Sequence, residues 1–360
     1  MRPRIHDSYL ARQFVKILFY SIVAFTIIYV TVDIFEEIDN FIDHNASAKD
    51  IALYYLYSIP FILTYIIPIS LLLGTVFSLG VLARRNELTA LIASGVSLVR
   101  IAAPIIVIAL VSSLASAWFN DRVVASANRL KNDIMEYEIE GRARTNKAVR
   151  NNFHYLGESG FVYLADAFNE KTGTLYDVVV QQFDGTTMIR RIDARRAQWT
   201  DEVWVFHQGF ERWFEGGADS VEAFQELRAE EIKETPQDFS AEVLDEEDMT
   251  FQELRTYIER LRRSGGHVEK HLVDMYFKLS FPFAGSIFTL IGIAFAAGKR
   301  KHSVATGFGV TLIVAFTYYV VLRLGQTLGH NEVLPPLLAA QMGNVIFLMI
   351  GVTLLCRANR

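Results

Sequence analysis

The stretch "IALYYLYSIPFILTYIIPISLLLGTVFSLGVLA" (51–83) carries no charged residue and is followed at once by Arg84 and Arg85. A helix needs about 20 mainly apolar residues to cross the hydrocarbon of a bilayer. This run exceeds that length and reads as a membrane span. Five further uncharged runs share its character, at 17–32, 101–120, 279–298, 304–322 and 333–356. Six spans follow. The shortest run is extended by Phe14 and Phe35, and nothing near Val32 resembles a small-residue cleavage site, so it reads as a retained helix and not a removed signal peptide.

The rest of the composition agrees. Of 360 residues 51% are apolar, and the charges fall in a few blocks instead of being spread as on a soluble surface. Arg2, Arg4, Arg12 and Lys16 precede the first span; Arg84, Arg85 and Arg100 lie between the second and third, Lys299, Arg300 and Lys301 between the fourth and fifth, and Arg357 and Arg360 at the end. All four groups share one side, which the positive-inside rule makes cytoplasmic, with both termini. The loop "DIFEEIDNFIDHNASAKD" (33–50) on the other side is acidic. The net charge of −5 averages the two sides and identifies no partner. Cys356, the one cysteine, lies in the last span, which excludes an intramolecular disulfide.

The chain divides into 1–120, with three spans and a short cytoplasmic helix at about 86–95; 121–268, an external insert; and 269–360, with three more spans. Residues 121–145 continue the third span as a helical extension. The period then changes: "FVYLADAF" (161–168), "LYDVVVQQFD" (175–184), "TMIRRIDARRAQWT" (187–200) and "EVWVFHQGFERWFE" (202–215) are rich in β-branched and aromatic residues. Turn formers at Lys171-Thr172-Gly173, Asp184-Gly185 and Gly216-Gly217 separate them. The expected architecture is an α-helical membrane protein with six transmembrane helices and an antiparallel all-β domain, jelly-roll-like or an open sandwich, between helices 3 and 4, its core at about 146–235. Thr250 and Glu253 have the spacing of a capping box, opening an amphipathic helix that stops at Gly265-Gly266.

Enzymatic and metal chemistry find little support. "GIAFAAGK" (292–299) superficially resembles a phosphate-binding loop, but five residues separate its glycines where four are required. Any ATP this protein's work consumes is therefore bound by another subunit. His267 and His271 stand four apart, but a zincin helix needs Glu directly after the first His, and Val268 holds that place. No catalytic residue, bound cofactor or metal is expected. Arg323, after the fifth uncharged run, sits where a cation meets lipid headgroups or an anionic ligand, and Tyr319 is one turn earlier.

The segment "VLARRNELTALIASGVSLVR" (81–100) is the most informative cytoplasmic piece. Asn86 is placed to cap a helix that begins at Glu87, where the positive end of the helix dipole favours a carboxylate. Leu88, Leu91 and Ile92 make an apolar stripe, and Gly95 supplies a stop. Two turns are unstable alone and need a surface. Interfacial helices carry Lys or Arg along the whole polar face, whereas Glu87, Thr89 and Ser94 interrupt this one. A protein partner is favoured over the bilayer.

The chain resembles the lipopolysaccharide-export permeases LptF and LptG over essentially its whole length. The resemblance is carried by "IPFILTYIIPISLLLGTVFSLGVLARRNELTALIASGVS" (59–97), "TFQELRTYIERLRRSG" (250–265), "FPFAGSIFTLIGIAFAAGKRKHS" (281–303) and "LPPLLAAQMGN" (334–344). The second and fourth are more like LptG. The resemblance implies a permease subunit of an ABC transporter in the bacterial inner membrane, its β domain periplasmic. It would extract lipopolysaccharide from the outer leaflet and pass it to a periplasmic bridge toward the outer membrane. Implied partners are a cytoplasmic LptB-like ATPase dimer that uses ATP and magnesium, a second permease subunit (LptF-like or a copy of itself) and an LptC-like bitopic protein; nucleic acid is not among them. The short helix would enter a groove of the ATPase, with Glu87 as its acidic coupling residue and Arg84, Arg85, Leu88, Leu91, Ile92 and Gly95 around it. Apolar faces of the first and fifth spans, with Phe316 and Tyr319, would line a lipid gate, and Arg323 would meet a lipid phosphate. One departure stands out: some LptG members have a basic residue at the outer end of the first span, where this chain has Asp33, Glu36 and Glu37. Two other readings predict different things. A periplasmic-facing scaffold or signalling protein would need no ATPase, and a secondary transporter would carry ionisable residues deep in its spans.

Overall fold

The computed structural model describes residues 5–141, 149–157, 160–184, 187–215, 218–240, 245–263, 267–297 and 304–358. Several sequence expectations fall outside them: the basic residues Arg2, Arg4, Lys299, Arg300, Lys301 and Arg360, the end of the 292–299 glycine stretch, and the turns at Gly185, Gly216-Gly217 and Gly265-Gly266. Inside lipid every backbone polar group must be satisfied within the chain, and an apolar run does this as a helix. The first such helices are α1 (Ile5–Asp43), α2 (Ala48–Arg84), the short α3 (Glu87–Ala93) and α4 (Leu98–Phe119). Two π-helical turns, Asn120–Val124 and Ile134–Ile139, flank α5 (Ala125–Asp133), so the third span runs unbroken from Leu98 to Ile139.

The insert supplies strands β1 (Val149–Leu156), β2 (Phe161–Asn169), β3 (Thr174–Asp184), β4 (Thr187–Thr200), β5 (Val203–Glu215) and β6 (Ala218–Ala229), then helices α6 (Pro236–Ser240) and α7 (Phe251–Arg263). The fourth span is α8 (Glu269–Ser280), a 3-10 turn (Phe281–Phe283) and α9 (Ala284–Ala296); α10 (Val304–His330) and α11 (Pro336–Ala358) follow. Among the described residues six helices are long and apolar enough to cross a membrane, matching the six expected spans.

The acidic 33–50 stretch is mostly helix and not loop. α1 runs through it to Asp43 and closes with Asn45 at φ 52, the Ala46 N–H reaching the Phe41 carbonyl at 2.9 Å and the Asn45 N–H that of Ile42 at 3.1 Å. A left-handed asparagine with these two bonds is a Schellman ending. Pro60, Pro68 and Pro104 lie inside α2 and α4. Only Pro282, in the 3-10 turn, coincides with a break in a span.

The chain forms two compact units, one from Met1–Glu140, Glu246–Phe251 and Glu269–Arg360, the other from Gly141–Asp245 and Gln252–Val268. In the first, α2 and α9 approach so closely that a Cβ at Gly285 would meet Leu71 Cδ1 at 2.5 Å. Close backbone approach through small residues is how membrane helices gain van der Waals contact without a hydrophobic driving force. Leu72, Val76, Phe281, Phe288, Tyr318 and Phe347 fill the adjoining core.

In the second unit the six strands pair antiparallel in sequential order, β1 to β6, with Arg190 opposite Trp213 and Arg196 opposite His207 across β4 and β5. This is a meander: the all-β antiparallel domain is as expected, while none of the Greek-key crossings of a strict jelly roll joins the described strands. Its core holds Tyr163, Phe168, Trp204, Phe206 and, from α6, Phe239, all fully buried. Each such side chain contributes roughly 1.5–3 kcal/mol. Glu234 organises the polar edge of this core: its carboxylate accepts the Tyr163 hydroxyl at 2.7 Å and its carbonyl accepts the Trp204 indole N–H at 2.6 Å. Burial, reinforced by that carboxylate, pushes the Tyr163 phenol far above its ordinary value and keeps it a donor.

Candidate functional site

Two places in the membrane unit hold the residues singled out from sequence. The first is the α2–α3–α4 corner. α2 ends at Arg84, and Asn86 turns the chain with φ 61. Its side chain makes no cap bond to α3, contrary to expectation. Side-chain capping requires an extended backbone at that position, and the left-handed turn removes it. The Asn86 carbonyl still accepts the Ala90 N–H at 3.0 Å. At the other end Gly95 adopts φ +85; its N–H meets the Ile92 carbonyl at 3.0 Å and the Val96 N–H meets that of Leu91 at 3.2 Å. Gly95 is thus the stop the sequence suggested, in a Schellman motif.

The apolar stripe divides. Leu88 is buried, 3% exposed, among Leu10, Phe14, Leu82, Leu98 and Ile101, and Leu91 packs half-buried on the same cluster. Ile92 faces out at 45% exposure, and Arg84, Arg85 and Glu87 are exposed. The Arg85 guanidinium lies 3.9 Å from the Glu87 carboxylate and donates to the Tyr9 hydroxyl at 3.4 Å. Exposed pairs of this kind contribute about 0–1 kcal/mol, so Glu87 remains available. Nearby, Arg100 grips Asp7 with two bonds, at 3.2 and 2.9 Å, fastening the start of α4 to the start of α1. α3 is therefore a short helix rooted in the bundle by one face, its charged face outward.

The second place is a cavity of about 240 Å³. Phe61, Thr64 and Tyr65 of α2, Asn120 and Val124 of the third span, Phe277 and Phe281 of the fourth, and Arg323, Gln326 and His330 of α10 line it, with Glu246, Glu247, Lys270, Asp274 and Lys278. Arg323 donates to the Gln326 side chain at 3.0 Å and has no carboxylate partner among the described residues. Tyr319 is half-buried, its hydroxyl bound to the Tyr65 carbonyl at 2.8 Å. The structure thus gathers Tyr319 and Arg323 around Tyr65. It leaves Phe316 apart, 72% exposed in an outward apolar row with Ile313 and Val320. α1 carries a matching row that includes Phe19, Ile27, Ile28 and Phe35. At the acidic end of α1, Asp33 accepts the Tyr55 hydroxyl at 3.0 Å.

Sequence reasoning missed Glu246. Burial raises its carboxyl, but a hydrogen bond from its own backbone, with Lys270 at 3.4 Å and His271 at 2.9 Å, outweighs that and holds it below the ordinary glutamate value. Glu246 stands in the acidic run 234–248, where nothing in the sequence sets it apart from the neighbouring carboxylates. His271 was weighed as a metal ligand; in the structure its Nδ1 faces Glu246.

A six-span bundle, interrupted after the third span by an antiparallel sheet domain and bearing a short rooted helix after the second, is the build of a polytopic transport permease. A family model described as lipopolysaccharide export system permease LptF/LptG matches residues 8–357, and the chain belongs to that family. It is 21% identical over 312 residues to the lipopolysaccharide export system permease protein LptG of Escherichia coli strain K12, covering 85% of each chain. It matches the LptG of Escherichia coli O6:H1 strain CFT073 to the same extent. As a member of a permease family with six apolar helices, it is a multi-pass inner-membrane protein and a transport subunit, not a catalyst, and it works with other subunits of an export system.

Proposed function

We propose that this chain is the LptG-type half of an ABC transporter that extracts lipopolysaccharide from the outer leaflet of the inner membrane and hands it to a periplasmic bridge. Its second half is an LptF-like subunit or a copy of itself, and an LptC-like bitopic protein associates with the pair. The α3 end and both termini face the cytoplasm, where an LptB-like ATPase dimer binds and hydrolyses ATP with magnesium; the sheet domain faces the periplasm. The observation that supports this best is the mounting of α3. One face is sunk into the bundle through Leu88 while Glu87, Ile92, Arg84 and Arg85 stay outward. A helix rooted this way moves with the spans, so closure of an ATPase holding its outer face is felt inside the membrane. The apolar rows of α1 and α10 suit a lipid path, and Arg323, without a carboxylate partner among the described residues, suits a lipid phosphate.

Co-purification in detergent tests the reading, wild type beside Glu87→Ala. Wild type is expected to bring down an ATPase with vanadate-sensitive hydrolysis, and the variant to lose its binding or its coupling. Wild type that brings down no ATPase while folded overturns the proposal. Arg323→Ala with undiminished lipid crosslinking and export would remove the phosphate contact alone.

A further inference from the structure

The fourth span is in two pieces. The Ala284 N–H bonds the Phe281 carbonyl in 3-10 fashion and not the Ser280 carbonyl, which leaves the latter room for a side-chain donor. Asn344 of α11 supplies one: its Nδ2 donates to that carbonyl at 2.7 Å, while its Oδ1 accepts the Tyr318 hydroxyl at 2.8 Å. The Ser280 hydroxyl donates to the Ala340 carbonyl at 3.0 Å. The break is therefore pinned by buried polar contacts at a single level of an otherwise apolar core.

Beyond the break, α8 is tied to the segment Glu246–Phe251. Lys278 Nζ donates to the Glu247 carbonyl at 3.3 Å and to the Met249 carbonyl, and Lys270 and His271 meet the Glu246 carboxylate. The other side of the same segment is tied to the third span. Asn132 donates to the Asp248 carboxylate at 2.7 Å, Arg129 Nε to the Asp248 carbonyl at 2.9 Å, and the Phe251 N–H to Asp121 at 2.6 Å. Asp248 and Met249 are each 5% exposed. Residues 246 and 247 also form one wall of the cavity, between Asn120 and Val124 on one hand and α8 and α10 on the other. α8 in turn pairs Asp274 with His330 of α10 at 3.1 Å and packs Val273 against Gly329.

We infer that Glu246–Phe251 is a releasable strap over this cavity: it holds α8 against the third span, and on release α8 swings about the pinned joint at Ser280–Phe283, carrying the nearby end of α10 and opening the cavity. The distribution of forces supports this. The named hydrogen bonds and ion pairs joining the strap to its two walls are polar contacts of about 1–3 kcal/mol each, with Met249 its buried apolar side chain, whereas the joint lies in the aromatic core of Phe281, Phe288 and Tyr318. The inference does not rest on the transport reading, since it concerns only which contacts yield first.

The test is pulsed-EPR distance measurement on the full chain in nanodiscs, in a Cys356→Ser background, with labels at exposed Leu130 of the third span and Leu328 at the end of α10. The intact strap gives one narrow distribution. Lys278→Met, and independently Asn132→Ala on the opposite wall, are expected to add a longer-distance population of at least several-fold greater weight, and Lys278→Arg to keep the single one. If Lys278→Met does not fold, Asn132→Ala decides. An unchanged distribution in the folded strap variants overturns the inference. So does an equal lengthening between labels at Leu110 and Leu354, which would mean general loosening and no swing about a joint.

Discussion

Truncating Leu88 and truncating Ile92 give opposite results if α3 is mounted as described. Leu88→Ala removes three carbons from a site 3% exposed; at about 0.8 kcal/mol per buried carbon plus a cavity term, the loss is about 3 kcal/mol. Ile92 is already 45% exposed, so the same truncation costs about 1 kcal/mol or less. α3 is too short to persist without its anchor, so the loss is felt first as local opening. Amide hydrogen exchange across 87–96 should accelerate roughly a hundredfold in Leu88→Ala and less than about tenfold in Ile92→Ala, since about 1.4 kcal/mol corresponds to a factor of ten. ATPase co-purification should fall in Ile92→Ala without that loosening. Equal acceleration in the two variants would refute the mounting, and with it the division of the stripe into a rooted and a docking face.

Two further expectations concern other regions. Gly209 sits where an added Cβ would lie 2.1 Å from the Asp193 carbonyl oxygen and 2.9 Å from the Ala194 Cα. Gly209→Ala should therefore cost about 1–3 kcal/mol by forcing β4 and β5 apart, read as faster exchange of 190–213 with the membrane helices unaffected. The Glu246 carboxyl is held below its ordinary value, so its share of strap stability is present above the ordinary glutamate value and is lost as pH falls through the lowered one. Exchange of 246–251, corrected for intrinsic rate, should rise on acidification in wild type, and Glu246→Gln should abolish that rise.

The spans were legible because hydrocarbon imposes one strong rule on composition, and 51–83 satisfies it without ambiguity. β2 to β5 were legible for a similar reason, being dense in β-branched and aromatic residues. β6, "ADSVEAFQELRA", was not: its Glu, Gln, Ala and Leu favour a helix, and it is a strand because β5 offers it a partner from Trp204 to Glu215. The helical end of α1 was hidden by Glu36, Glu37 and Asp39, whose charges suggest a loop although glutamate is a good helix former. At α3 the periodicity identified Leu88, Leu91 and Ile92 as apolar but not the surface each would meet. The cavity around Arg323 draws on α2, the third span, α8, α10 and residues 246–247, distances that local pattern does not encode.

α1 is a 39-residue rod whose fully buried residues are Leu10, Phe14 and Ser21 toward one end and Phe41 at the other. At 1.5 Å per residue it is about 58 Å long, nearly twice the hydrocarbon thickness of about 30 Å. The 19 residues between Ser21 and Phe41 are at most partly covered by the rest of the chain. Mechanically it is a stave nailed at its ends. Bowing its middle section outward costs the Tyr55–Asp33 hydrogen bond and the packing of Val30 but uncovers no buried side chain of that section, so much of its stiffness is set by whatever lies against it, lipid or a neighbouring subunit.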